Sequence, residues 1–187
     1  DRNASMLENS KSFAKDFMVR HGVPTPSFKT FTEFGEAISY VDSKEDGPLV
    51  IKADGQARGR GVVVARSKQE ARNALKSMMQ DRIYDQAGQC VVVEDYIEGP
   101  EVSLHVLCDG STYKILPLAQ DHKARNDGNT GPNTRGMGAY TPLDWVDDQM
   151  KQEIEEKIIK RTFEGLKKEK ISFQGLLFPG IMLTTKG

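Results

Sequence analysis

The 187-residue sequence predicts an α/β (α+β) fold in two subdomains, and three observations carry that expectation. The first, residues 1–88, alternates helix-period segments with strand-like runs. The second, residues 89–187, begins with short apolar strands that follow one another, separated by turn residues. Between Val50-Ile51-Lys52 and Val62-Val63-Val64 lies a turn holding Gly55, Gly59, Gly61, Arg58 and Arg60. It reads as strand, basic glycine-rich turn, strand.

The elements follow in order. Asn9-Ser10 caps a helix that runs through Phe13, Phe17 and Met18, and Gly22-Val23-Pro24 stops it. A short strand at Ser27–Phe31 leads to a helix near Glu33–Lys44, then to the strand that carries Lys52. Ser67-Lys68-Gln69-Glu70 is a capping box opening a helix through Ala71, Leu75, Met78 and Met79. Cys90–Ile97, Val102–Cys108 and Tyr113–Leu118 read as three strands, the last two joined at Asp109-Gly110, a short hairpin signal. Gln120–Thr141 has no periodicity, and a polar loop of that length is functional or disordered. A helix capped near Asp147 places Met150, Ile154, Ile158 and Leu166 on one face. A strand pair, Phe173–Leu177 and Gly180–Thr184, closes the pattern. Met137 reads as a packing residue, and Trp145 as an anchor for the junction between loop and helix.

Glycine lets backbone N–H groups approach a ligand closely, so the turn after Lys52 can wrap phosphate oxygens while Lys52 and Arg60 supply charge. An ordinary hairpin with a solvated basic tip is the alternative. The turn is not a Walker loop, which needs Ser or Thr after its lysine at a helix start. Nor is it a Rossmann turn, because Val62-Val63-Val64-Ala65 opens a strand where that motif opens a helix. Glu94-Asp95-Tyr96-Ile97 ends a strand, exposing backbone groups suited to the edge of adenine. Glu94 could accept from an amino group there, and Glu101 from ribose hydroxyls. An acidic solvated turn is the competing reading.

Composition narrows the classes. A net charge of −1 argues against a general nucleic-acid binder. Two cysteines, Cys90 and Cys108, show neither metal-ligand spacing nor a disulfide framework, which suggests reduced thiols in a cytoplasmic protein. No apolar run reaches the roughly 18 residues of a membrane span. Neither end resembles a natural terminus, so a piece of a longer chain is expected.

Taken together, Asn9-Ser10-Lys11-Ser12-Phe13-Ala14-Lys15-Asp16-Phe17, Ile51-Lys52-Ala53-Asp54-Gly55, Gly59-Arg60-Gly61-Val62, Gln120-Asp121-His122-Lys123 and Gly131–Tyr140 resemble the ATP-grasp part of the phosphoribosylamine–glycine ligase family. The last two segments are the specific ones, and the likeness covers nearly the whole chain. It implies an ATP-grasp fold, with nucleotide between a small strand–loop–strand flap and a larger antiparallel sheet. It implies ATP-dependent ligation of glycine to 5-phosphoribosylamine through a glycyl phosphate, giving glycinamide ribonucleotide, ADP and phosphate in purine biosynthesis.

The resemblance assigns Lys11 and Lys52 to the α- and β-phosphates. Asp54, Gly55, Gly59, Arg60, Gly61 and Val62 belong to the loop over the β/γ-phosphates. Glu94, Asp95, Tyr96 and Ile97 become the adenine hinge, and Glu101 holds the ribose. Asp121, His122, Lys123 and the Gly131–Tyr140 loop, with its Asn133 and Thr134, line the region where glycine and the amine meet the γ-phosphate, although His122 could be only a scaffold. The Mg²⁺ ligands and a substrate-binding N-terminal domain are expected outside this segment, so the segment alone is expected to be inactive. No metal set is expected within it.

Four positions depart from the family. Arg60 stands for a lysine, Arg58 for a small residue, Arg135 for a glycine, and Ala124 for an arginine that Arg125 could replace. Arg135 would strain the loop if its position needs positive φ. Another ATP-grasp carboxylate–amine ligase, or a nucleotide-binding module without catalysis, are the alternatives.

Overall fold

A computed structural model describes residues 2–55, 57, 61–128, 130–134 and 136–185. The chain divides into two compact units, one ending at Tyr96 and one beginning at Ile97.

The first unit is built on a four-stranded antiparallel sheet. Its strands are β1 (Phe28–Phe31), β2 (Leu49–Ala53), β3 (Val62–Ala65) and β4 (Val91–Asp95), in the order β1-β4-β2-β3. Its helices are α1 (Arg2–Asn9), α2 (Lys11–Arg20), α3 (Phe34–Ser43) and α4 (Lys68–Leu75), the last running on as a π-helical turn, Lys76–Gln80. Strand side chains alternate between faces. Leu49, Ile51 and Ala53 of β2 join Val91 and Val93 of β4 on one face, where Ala37, Val41, Leu75 and Met78 cover them. Val92 and Glu94 point to the other face and are also buried. The central strand β4 is therefore buried on both faces, while the edge strand β3 leaves Val62 and Val64 exposed.

The helix signals operate as read. Ser10 Oγ accepts from Phe13 N–H to cap α2, and Gly22 ends that helix at φ 65°. Ser67 caps α4 by accepting from Glu70 N–H, but Glu70 returns its carboxylate to the Arg66 amide rather than to Ser67. The additional helix α1 carries no strong sequence signal.

The second unit holds the remaining strands. They are β5 (Glu101–Ser103), β6 (Val106–Cys108), β7 (Tyr113–Ile115), β8 (Gln120–Asp121), β9 (Ala124–Asn126), β10 (Thr130–Asn133), β11 (Ala139–Tyr140), β12 (Gly175–Leu177) and β13 (Gly180–Met182). A long helix is formed by α5 (Asp148–Ile154), a π-helical stretch Glu155–Lys160, and α6 (Arg161–Lys168). Asp147 caps it at Met150 N–H, as its position suggests. Its buried side chains Ile154 and Ile159 join the sheet residues Val102, Val106 and Ile181 in one core cluster, and Leu166 is buried as well.

Four expectations need correction here. β12 and β13 do not pair with each other; β12 pairs with β6 and β13 with β5. The run Val102–Cys108 is two strands, interrupted at Leu104-His105. The β6–β7 hairpin, by contrast, closes where expected: pairing begins at Cys108↔Tyr113, and the Asp109 carboxylate gathers the Ser111 and Thr112 amides in the loop. Gln120–Thr141 is not structureless: β8 pairs with β11, and β9 with β10, as two short ribbons. Met137 and Met150 are 64% and 42% exposed, so neither packs a core.

Candidate functional site

In the first unit the chemistry gathers where α2 begins beside the end of β2. Lys11 and Lys15 are one helical turn apart and therefore share a face of α2. Lys52 and Glu94 lie on neighbouring strands. Lys52 is opposite Val92 and Glu94 opposite Val50, which makes the two ionic side chains diagonal neighbours on the same face.

The Glu94 side chain is only 3% exposed, yet it meets two cations. Lys15 Nζ lies 3.0 Å from Oε2 and Lys52 Nζ 2.8 Å from Oε1. The Lys52 contact is an ion pair without hydrogen-bond alignment, leaving Oε1 without a directed donor among the described residues. Lys15 is fixed further by donating to Thr25 Oγ1 at 2.7 Å and by the Phe28 ring, 5.5 Å away. Burial pushes the Lys15 ammonium below the usual lysine range, against the pull of Glu94.

Lys11 is occupied differently. Its Nζ donates to the carbonyls of Ala53 and Gly55, at 2.8 and 2.9 Å. Burial lowers it as well, with Asp54 opposing that shift. Asp54 is held by the Ser12 amide and by the hydroxyls of Ser12 and Ser10. Burial alone would raise the Asp54 carboxyl; the hydrogen bonds from Ser12 and Ser10 outweigh it, and the group lies below its usual value. Gly55 sits at φ 113°, a conformation that L side chains rarely adopt. A Cβ on Gly61 would come within 2.5 Å of Ala57 Cβ, so this turn closes only over glycine. Gly59 and Arg60, with Arg58, lie outside the described residues. Val62 is exposed on β3, Asp95 accepts from Lys44 at 2.7 Å, and Tyr96 is exposed at the end of the unit.

In the second unit, Glu101 on β5 is paired with Lys123, whose Nζ is also 3.8 Å from Asp121. Gln120 Nε2 donates to the Glu101 carbonyl, while Tyr140 OH donates to Gln120 Oε1 and Trp145 Nε1 to Tyr140 OH. The His122 ring stacks on Tyr140 at 5.6 Å. Its backbone carries the ribbon, with N–H to Gly138 O and C=O to Met137 N. Thr134 N–H donates to the Lys123 carbonyl, and its hydroxyl accepts from Gly136 N–H. Asn133 is placed by its backbone opposite Ala124; its side chain lies outside the described atoms, as does Arg135. Ile97 is half-buried at the start of this unit. A groove of about 810 Å³ in the same unit is lined by residues including Leu104, Ile115, Leu143 and Asp147 and by none of the expected site residues.

Two clusters thus emerge: Lys11, Lys52, Asp54, Gly55 and Glu94 in one unit, Glu101, Asp121, His122 and Lys123 in the other. Sequence reasoning left out Lys15 and Gln120, and included Tyr140 only as the end of the Gly131–Tyr140 loop. The four-residue spacing from Lys11 to Lys15 was a signal for the first; nothing local marked Gln120.

The fold, with its lysine-bearing antiparallel hairpin beside the start of α2, is of the ATP-grasp class. The profile of the phosphoribosylglycinamide synthetase ATP-grasp (A) domain matches residues 9–187, and the chain belongs to that family. It is 46% identical over 184 residues to the trifunctional purine biosynthetic protein adenosine-3 of Gallus gallus, covering 98% of this chain and 18% of that protein. It is 42% identical over 187 residues to a phosphoribosylamine–glycine ligase of Leptospira interrogans, covering 100% of this chain and 44% of the relative. The crystal structure of phosphoribosylamine–glycine ligase from Thermotoga maritima superposes with a TM-score of 0.89 at 33% identity, over 97% of this chain and 46% of that one. The chain therefore spans less than half the length of the relatives it matches.

Proposed function

We propose that this chain supplies the ATP site of a phosphoribosylamine–glycine ligase, which joins glycine to 5-phosphoribosylamine and converts ATP to ADP and phosphate in a cytoplasmic step of purine synthesis. The observation that carries the reading is Glu94, a buried carboxylate with one oxygen lacking a directed donor, set between lysines of which Lys52 is the more solvent-accessible. Such a cluster suits a nucleotide. Lys52 meets phosphate oxygens, and an amino group on the base supplies the donor that Glu94 Oε1 lacks.

Lys11, fixed by two loop carbonyls, holds the phosphate turn in shape and adds positive charge beside it. Gly55 and Gly61, with Gly59 and Arg60, present backbone N–H groups and charge to the terminal phosphates. Asp95 and Tyr96 complete the base edge, with Ile97. In the second unit Glu101 is assigned to ribose hydroxyls, and Asp121, His122, Lys123, Asn133 and Thr134 to the acceptor substrates. Mg²⁺ would neutralise phosphate charge when bound. Among the described residues no three His, Cys, Asp or Glu side chains come together to hold a metal ion, so no role in metal binding is given to them. Catalysis in this reading is positioning and electrostatic stabilisation, with no protein nucleophile. Among the described residues no helix is long and apolar enough to cross a membrane.

Calorimetric titration of Mg-ATP into the chain and its Lys52→Ala variant tests the reading. Binding by the parent that Lys52→Ala loses supports it. Equal binding by both, or none by either with intact cooperative melts, overturns it.

A further inference from the structure

We infer that Lys15 is a positioning residue whose charge allows Lys52 to leave Glu94 for a phosphate group. The inference rests on the nucleotide-site reading above and assigns a task to a side chain which that reading does not use.

Two cations share one buried carboxylate, one on each oxygen. They are not equivalent. Lys15 is 9% exposed and is held by Thr25 Oγ1 and the Phe28 ring. Lys52 is 25% exposed, and its contact with Oε1 lacks hydrogen-bond alignment. Lys52 is therefore the mobile partner, and Lys15 the fixed one.

Removing the only counter-charge from a buried carboxylate is strongly unfavourable, because water does not reach the ion to replace it. If Lys52 were alone with Glu94, each phosphate contact it made would strand that negative charge. With Lys15 on Oε2, Glu94 keeps a partner while Lys52 moves. Burial holds the Lys15 ammonium below its usual range, with Glu94 as the group that supports its charge, so the two residues depend on one another. Lys15 is thus a permanent counter-ion and Lys52 an exchangeable one.

The test is calorimetric titration of inorganic tripolyphosphate, a probe with no base for Glu94 to meet, into the 187-residue chain and five variants. Lys15→Met weakens binding about tenfold or more, since Lys52 must then stay with Glu94. Adding Glu94→Gln to Lys15→Met returns binding to within about threefold of the parent, because no charge is left to strand. Lys15→Arg keeps the cation and binds like the parent. Glu94→Gln alone frees Lys52 and tightens binding, a readout independent of whether Lys15→Met folds.

Unchanged binding by Lys15→Met, with Lys52→Ala losing it, overturns the inference and leaves the nucleotide site standing. A double variant no better than Lys15→Met also overturns it, since a purely structural defect is not repaired by deleting the opposite charge. Weaker binding by Glu94→Gln alone does the same. Equal binding by parent and Lys52→Ala, or none by the parent, removes the site reading and the inference together.

Discussion

Ser12 and Asp54, 42 residues apart, are joined twice: the Ser12 amide donates to Oδ1 at 3.0 Å and its hydroxyl to Oδ2 at 2.6 Å. With Ser10 donating to the same carboxylate, this fastens the first turn of α2 to the residue that follows β2. Asp54→Ala leaves those donors without their charged acceptor and is expected to lower stability by about 2–3 kcal/mol, measured by urea denaturation. Denaturation indistinguishable from the parent's would show the link to be dispensable.

The same carboxylate sets a pH dependence. Its folded value lies below the 3.8 of a free aspartate, so the unfolded chain takes up the proton first as pH falls. The stabilisation is complete above about 3.8 and is lost as pH drops below it toward the folded value. Melts of the parent and Asp54→Asn should therefore converge below that pH. A gap that stays constant down to the acid limit would assign the effect elsewhere.

Cys90 is pushed up to about 11 from the usual 9.0, by burial and then by the Asp54 charge. Two units of pKa mean about 100-fold less thiolate at pH 8. The folded Cys108→Ser variant, which keeps only Cys90, should react with a disulfide reagent roughly that much more slowly than the same chain in urea. Rapid reaction of the folded variant would contradict the half-buried placement beside Asp54.

Trp145 and Tyr140 make a third measurable pair. The Tyr140 hydroxyl both accepts from the indole and donates to Gln120, so Tyr140→Phe removes two hydrogen bonds at once. Acrylamide quenching of the single tryptophan should rise in that variant, with a stability loss of about 1 kcal/mol. Unaltered quenching would mean that the hydroxyl does not hold the indole in solution.

Capping supplies a plainer check. Asp147 accepts from the Met150 amide, satisfying an otherwise unpaired donor at the start of α5. Asp147→Ala is expected to cost about 1 kcal/mol in thermal or urea unfolding, and Asp147→Ser to recover most of it.

Local chemistry was legible wherever one residue type fixes one geometry. Ser10, Gly22, Ser67 and Asp147 punctuate helices where the sequence places them, because caps are decided within a few residues. The β2–β3 hairpin was legible for the same reason, since its glycines and β-branched runs adjoin. What failed was long-range pairing. β12 and β13 were near each other in sequence, yet their partners are strands far earlier, with Leu176 opposite Leu107 and Ile181 opposite Val102. The ribbons inside Gln120–Thr141 escaped notice because strands of two to four residues are too short to leave a period to detect. At the site, sequence order pointed to Lys52 and Glu94 separately, but only the diagonal register of β2 and β4 brings them together.

The strand order β1-β4-β2-β3 also dictates when the first unit can be completed. The chain makes β1, β2 and β3 well before β4, yet β4 lies between β1 and β2, bonded to both. During synthesis the β2–β3 hairpin can close by itself, whereas β1 has no neighbour until residues near Asp95 have emerged. Glu94 arrives on that last strand. Until it does, Lys15 and Lys52 lack the one carboxylate that they share.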